Sequence, residues 1–179
     1  MVESSVKIPS DVTFEQAIAL SYYVVEKMEA GEISPSEIET VVSELAKTEN
    51  GARGFFVTYL TSEATAGDNP TEEVVRALRS HPDTVSELLA KNVAMSAATA
   101  LSHRRNGNEE MAKSSERVCD RTSHLIKLID IPEVYSCCRE ILKSATNEAG
   151  KYKSFLERWG YDSEQRQLIS QALQKVVPE

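Results

Sequence analysis

The sequence predicts an all-α fold, a compact bundle of about seven helices, and three observations carry that prediction. Apolar residues recur at steps of three and four along most of the 179-residue chain. No segment alternates apolar and polar side chains with period two, and β-branched residues do not cluster between turns. Two stretches, 34–62 and 130–158, also align without a gap as copies of one helical unit. Glu37 meets Glu133, Ile38 meets Val134, Leu45 meets Ile141, Lys47 meets Lys143, Gly54 meets Gly150 and Leu60 meets Leu156. Internal similarity of this kind is the signature of a repeated supersecondary unit.

The elements follow in order. Residues 1–11 have no apolar run and read as a flexible tail, with residues 12–179 forming one helical domain. From Thr13, the positions Phe14, Ala17, Ile18, Tyr22, Val25 and Met28 make one face of a helix that Gly31 ends. Ser34 and Glu37 form a capping-box pattern with Pro35 at the first helical position. The apolar period then continues from Ile38 through Asn50-Gly51 to Leu60, so this stretch reads as one long helix, kinked near Gly51.

Residues 61–69 read as a loop able to act as a small lid or contact segment. A short helix after Asn69-Pro70 stops at His81, before Pro82. Asp83 is expected to cap a long helix to about Arg105, whose Ala94–Ala100 segment of small side chains suits close helix approach. After the Asn106-Gly107-Asn108 turn, Met111, Ser115, Val118, Thr122, Leu125 and Ile129 form a seam. Asp130 is expected to cap the second long helix, and Asp162 with Gln165 the last one. The repeat units are thus expected at 34–80 and 130–177.

Composition bounds the function. A net charge of -8 disfavours nucleic acid, where neutralising phosphates supplies most of the affinity, and disfavours anionic membrane surfaces. No apolar stretch reaches the roughly 18 residues of a membrane-spanning helix. The three cysteines, Cys119, Cys137 and Cys138, match neither a disulfide framework nor a C-x-x-C metal motif. A reducing, cytoplasmic setting is therefore expected, with at least one of the adjacent pair buried as a small apolar residue.

Chemical motifs are sparse. His-Glu-x-x-His, Glu-x-x-His, Gly-x-Ser-x-Gly and glycine-rich phosphate loops are all missing, so no metal and no cofactor is expected. His81 reads as solvated or capping the preceding helix. Asp120 and His124 stand one helical turn apart and read as an ion pair. Cys119 lies five positions from His124, on another face, which disfavours a thiol–imidazole pair.

Two candidate sites remain. The first is basic: His103, Arg104 and Arg105 end one helix, while Lys113, Arg117 and Arg121 recur every fourth residue on the next. Such a patch can dock an acidic partner or an anion. The interleaved Glu109, Glu110, Glu116 and Asp120 favour a self-paired face instead. The second is aromatic: Phe55, Phe56 and Tyr59, with Tyr152, Phe155 and Trp159, fall at matching places in the two copies. Core is the simpler role, and a groove between the copies for a partner helix or small apolar ligand is the sharper one.

Together these features predict a non-enzymatic interaction domain that binds another protein or itself, as a homodimer. A ligand-binding helical bundle stands as the alternative, and an enzyme with no diagnostic motif as the third possibility.

Overall fold

A computed structural model describes residues 6–179, and every described element is helical. The all-α class is as expected. Part of the expected tail, residues 1–5, lies outside the described residues. Beyond it the chain is anchored at Val12, which is buried and whose N–H donates to the Pro9 carbonyl at 3.2 Å.

The chain divides into two compact units, Met1–Val85 and Ser86–Glu179, where the sequence reading takes residues 12–179 together. The first holds α1 (Phe14–Ala30), α2 (Pro35–Ala46), α3 (Glu49–Thr61), a single 3-10 turn (Thr65–Gly67) and α4 (Glu72–Arg79). Helix α5 (Pro82–Arg105) begins at the boundary. The second unit continues with α6 (Glu109–Ile129), α7 (Pro132–Asn147), α8 (Lys153–Arg158) and α9 (Ser163–Val176).

Nine helices among the described residues, against about seven expected, arise because both long helices break. The first breaks at Lys47-Thr48 rather than kinking at Gly51. Thr48 turns extended, and its hydroxyl accepts the Gly51 N–H at 3.1 Å, so it caps a new helix. Asn50-Gly51 is not a turn but the first turn of α3. Glycine is required there because a Cβ would stand 2.0 Å from the Leu45 carbonyl oxygen.

The second long helix breaks at Glu148, which adopts a left-handed conformation (φ 54°), and at Gly150 (φ 100°). The Ser144 hydroxyl then accepts the Tyr152 N–H at 3.1 Å, steadying the re-entry into α8. These breaks are not equivalent: Thr48 aligns with Ser144 inside α7, and Gly150 aligns with Gly54 inside α3. The expected residue-by-residue duplication therefore fails at the Gly54–Gly150 pair. What the two segments share is an order of elements, with α2 packing on α4 in one unit and α7 on α9 in the other.

Thr71 caps α4, and two cap assignments shift. Asp83 lies inside α5, which starts at Pro82. Asp130 does not cap α7; it closes α6 in the left-handed region (φ 50°) and accepts the Tyr135 hydroxyl at 2.9 Å. Pro132 at the first helical position leaves Ile131 as the α7 cap. The boxes at Thr13–Gln16 and Asp162–Gln165 are both complete.

In the first unit α1 packs along α3, while α2 packs on α3 and α4. Phe55 stacks on Tyr59 with ring centroids 5.0 Å apart, and both are fully enclosed. In the second unit α9 packs against α6 and α7. Gln165 also ties α9 to α5, its amide donating to the Ala98 carbonyl at 3.3 Å and the Ser102 hydroxyl at 3.0 Å. Asn92 joins α5 to α6 by donating to Thr122 at 2.8 Å.

Candidate functional site

The basic hairpin is the first place to look. Gly107 (φ 73°) makes the turn tight, and Asn108 caps α6 by accepting the Met111 N–H at 3.1 Å. The turn folds Arg104 back onto α6, where its guanidinium donates to Glu109 at 3.0 Å and reaches Glu116 at 2.9 Å. Arg105 points the other way, to Asp162 at 2.6 Å and Glu164 at 2.7 Å at the start of α9. Each arginine is therefore held between two carboxylates. Those hydrogen bonds raise both guanidinium pKa values, and they hold the Glu109 and Asp162 carboxyls below the usual carboxylate range.

The rest of the stripe does not share one surface. Lys113 is exposed, Arg117 and His103 are half-buried, and Arg121 is buried at 5% exposure. A fourfold spacing drifts by about 40° per step around a helix of 3.6 residues per turn. By Arg121 that drift has carried the stripe off the surface.

The aromatic residues separate as well. Phe55, Phe56 and Tyr59 are core of the first unit, and Tyr59 donates its hydroxyl to the Ala66 carbonyl at 2.7 Å. Being closed on both sides by α1 and α2, they cannot line an open groove, which corrects that part of the expected site. In the second unit Tyr152 is buried, Phe155 is half-buried and Trp159 is 55% exposed. Lys91 lies over both the Tyr152 and Phe155 rings.

Asp120 and His124 are exposed on α6. The Cys119 thiol faces the Val93 carbonyl at 3.7 Å, and burial pushes its pKa up. Cys138 is fully enclosed, and burial pushes its thiol up to about 12. His81 is not simply solvated: its Nε2 lies 2.9 Å from the Ser43 hydroxyl, coupling the α4–α5 junction to α2. Among the described residues no group of three or more His, Cys, Asp or Glu side chains could hold a metal ion. No helix among them is long and apolar enough to cross a membrane.

A groove that the sequence reading did not single out lies within the first unit. Helices α1 and α3 run in the same direction and touch at Ala17 and Gly54. There a Cβ on Gly54 would stand 2.4 Å from the Ala17 Cβ and 2.9 Å from its backbone. Next to that contact lies a groove of about 910 Å³. Ile18, Tyr22, Val25 and Val57 form its apolar walls, and Glu26, Glu29 and Glu63 also line it. Tyr22 is 60% exposed and Val57 42% exposed, so two large apolar side chains face solvent in one place.

The loop after α3 forms the groove's end wall and is held in position. The Glu29 carboxylate accepts the Ala66 N–H at 2.7 Å and the Thr65 hydroxyl at 3.3 Å. The Tyr59 hydroxyl holds Ala66 from the other side. The segment read as a small lid or contact loop is tied down at Thr65 and Ala66. A second depression, about 510 Å³ between α7 and α9, is lined by Gln167, Gln171, Gln174, Ser163 and Ser170. Amides and hydroxyls of that kind are well hydrated and give little hydrophobic gain on contact.

No curated protein and no solved structure matches the chain. One family model does, over residues 13–176, the whole helical span from the cap of α1 to the end of α9. The chain therefore belongs to the family described as uncharacterised conserved protein UCP020893.

Proposed function

We propose that this chain acts by binding another protein, without catalysis, and that the α1–α3 groove is its contact face. One observation carries the reading. Tyr22 and Val57 stand exposed beside Ile18 and Val25 in a pinned, preformed groove. Covering that surface gains about 25 cal/mol per Å² of apolar area removed from water. A groove whose end wall is already held by Glu29 and Tyr59 loses little conformational entropy on binding.

The test is site-specific photo-cross-linking in native extract, with the photoreactive residue at Val57 and, as control, at exposed Lys113. The expected result is a discrete adduct at Val57, lost in Tyr22→Ser and not seen at Lys113. Adducts of equal yield at both positions, or an adduct indifferent to Tyr22→Ser, would overturn the assignment.

A further inference from the structure

We infer that the groove's occupant is an amphipathic helix whose apolar edge is flanked by lysine or arginine. This rests on the groove being the contact face, and it follows from the charge and shape of the lining. Three of the twelve lining residues are glutamates, and among the described residues no lysine, arginine or histidine lines the groove. The neighbouring cation on α1, Lys27, is engaged by Glu32 at 2.5 Å and lies over the Tyr23 ring. Among the described residues the groove's lining therefore carries acids and no base, a charge that favours cations over anions.

Other occupants fit less well. A second copy presenting the same groove would face three glutamates with three glutamates, within a chain of net charge -8. An anionic bilayer meets the same repulsion. A small apolar molecule seeks a site that encloses most of its surface, whereas the wall residues Tyr22 and Val57 are themselves open to solvent. A peptide that binds by strand addition needs a sheet edge, and the described residues contain no strand. Two parallel helices present ridges between which a third helix can seat its i, i+3, i+4 and i+7 side chains. Lysine or arginine beside that apolar edge would then meet the acidic lining.

Three synthetic helical peptides test this with the full-length chain. All share one leucine edge, and their flanking positions are lysine, glutamine or glutamate. Binding is read by fluorescence anisotropy. The lysine peptide is expected to bind about tenfold or more tightly than the glutamate peptide, with glutamine between them. The gap should shrink at high salt and in the Glu26→Gln variant. Tyr22→Ser should weaken all three while the melting temperature stays put.

Equal affinities for the three peptides would overturn the basic occupant and leave the contact face standing. No binding by any of them would overturn the helical occupant, with cross-linking at Val57 deciding the contact face separately. Lysine-peptide binding that ignores Tyr22→Ser would place the contact outside the groove and overturn both.

Discussion

The α5–α6 hairpin and the α1–α3 groove are both surfaces dense in recognisable side chains, yet their interactions are arranged in opposite ways. In the hairpin Arg104 and Arg105 each meet two carboxylates of the same chain, so the charge is met internally. In the groove, apolar side chains are carried to the surface and bordered by acids, with no cation among the lining residues. The arginines of the hairpin are already engaged within the chain, whereas Tyr22 and Val57 of the groove face solvent. On the proposed function, the hairpin therefore serves as a structural fastening and the groove as the contact face.

The largest expected effect separates two glycines, one in each region. Gly54→Ala drives a Cβ into the Ala17 backbone, where both helices must shift, and should destabilise the protein by about 2–3 kcal/mol in urea unfolding. It should also widen the groove and weaken the lysine peptide. Gly107→Ala meets no atom within 4 Å and suffers only its positive φ, at about 1 kcal/mol. A Gly54→Ala protein as stable as wild type would show that the α1–α3 contact is loose and the groove not preformed.

Acid sensitivity sharpens the comparison on the hairpin side. Arg105 holds the Asp162 carboxyl below its ordinary value of 3.8. A depressed folded-state pKa contributes stability that is whole above 3.8 and is lost as pH falls below it, through the folded-state value. Arg105→Ala should therefore flatten the decline of melting temperature with acid below that value, and Arg104→Ala should do the same through Glu109. Both variants should leave cross-linking at Val57 unchanged. Loss of partner capture in either would return the hairpin to the role of a site.

Much of this was legible in sequence, and the failures have physical causes. Helical period marked most apolar faces, because a helix buries a stripe whatever its partner, although Met111, expected in the α6 seam, is exposed. It could not say which part of a stripe another helix would cover: Ile18, Tyr22 and Val25 belong to the same series as Ala17, yet Ala17 is sealed by Gly54 while Tyr22 stays open. Breaks escaped because period survives them. Thr48 and Glu148 interrupt the hydrogen-bond ladder without disturbing the spacing of apolar residues. The pairing of Arg104 with Glu109 and Glu116 was readable from local spacing. That of Arg105 with Asp162 was not, since it joins residues 57 positions apart. The Ser43–His81 contact, 38 positions apart, was hidden for the same reason.

Thiol reactivity offers a smaller check on packing in the second unit. Cys138 should resist labelling in the folded protein, Cys119 should react slowly, and the half-buried Cys137 should react first. Fast labelling of Cys138 would mean that α7 is not sealed. The smallest effect lies beneath the groove. Ser21 is fully buried on α1 and, among the described residues, its hydroxyl has no hydrogen-bond partner. Ser21→Ala removes an unanswered polar group and should raise stability by about 0.5–1 kcal/mol, with peptide binding intact.

The central claim is that recognition belongs to the groove and not to the hairpin, and amide chemical-shift mapping addresses both surfaces at once. When the lysine-flanked peptide is titrated into the labelled full-length chain, shifts should concentrate at Ile18, Tyr22, Val25, Val57 and Thr61. Arg104, Arg105, Lys113 and Arg117 should stay in place. Shifts that concentrate on the α5–α6 hairpin, with α1 and α3 unmoved, would contradict the account.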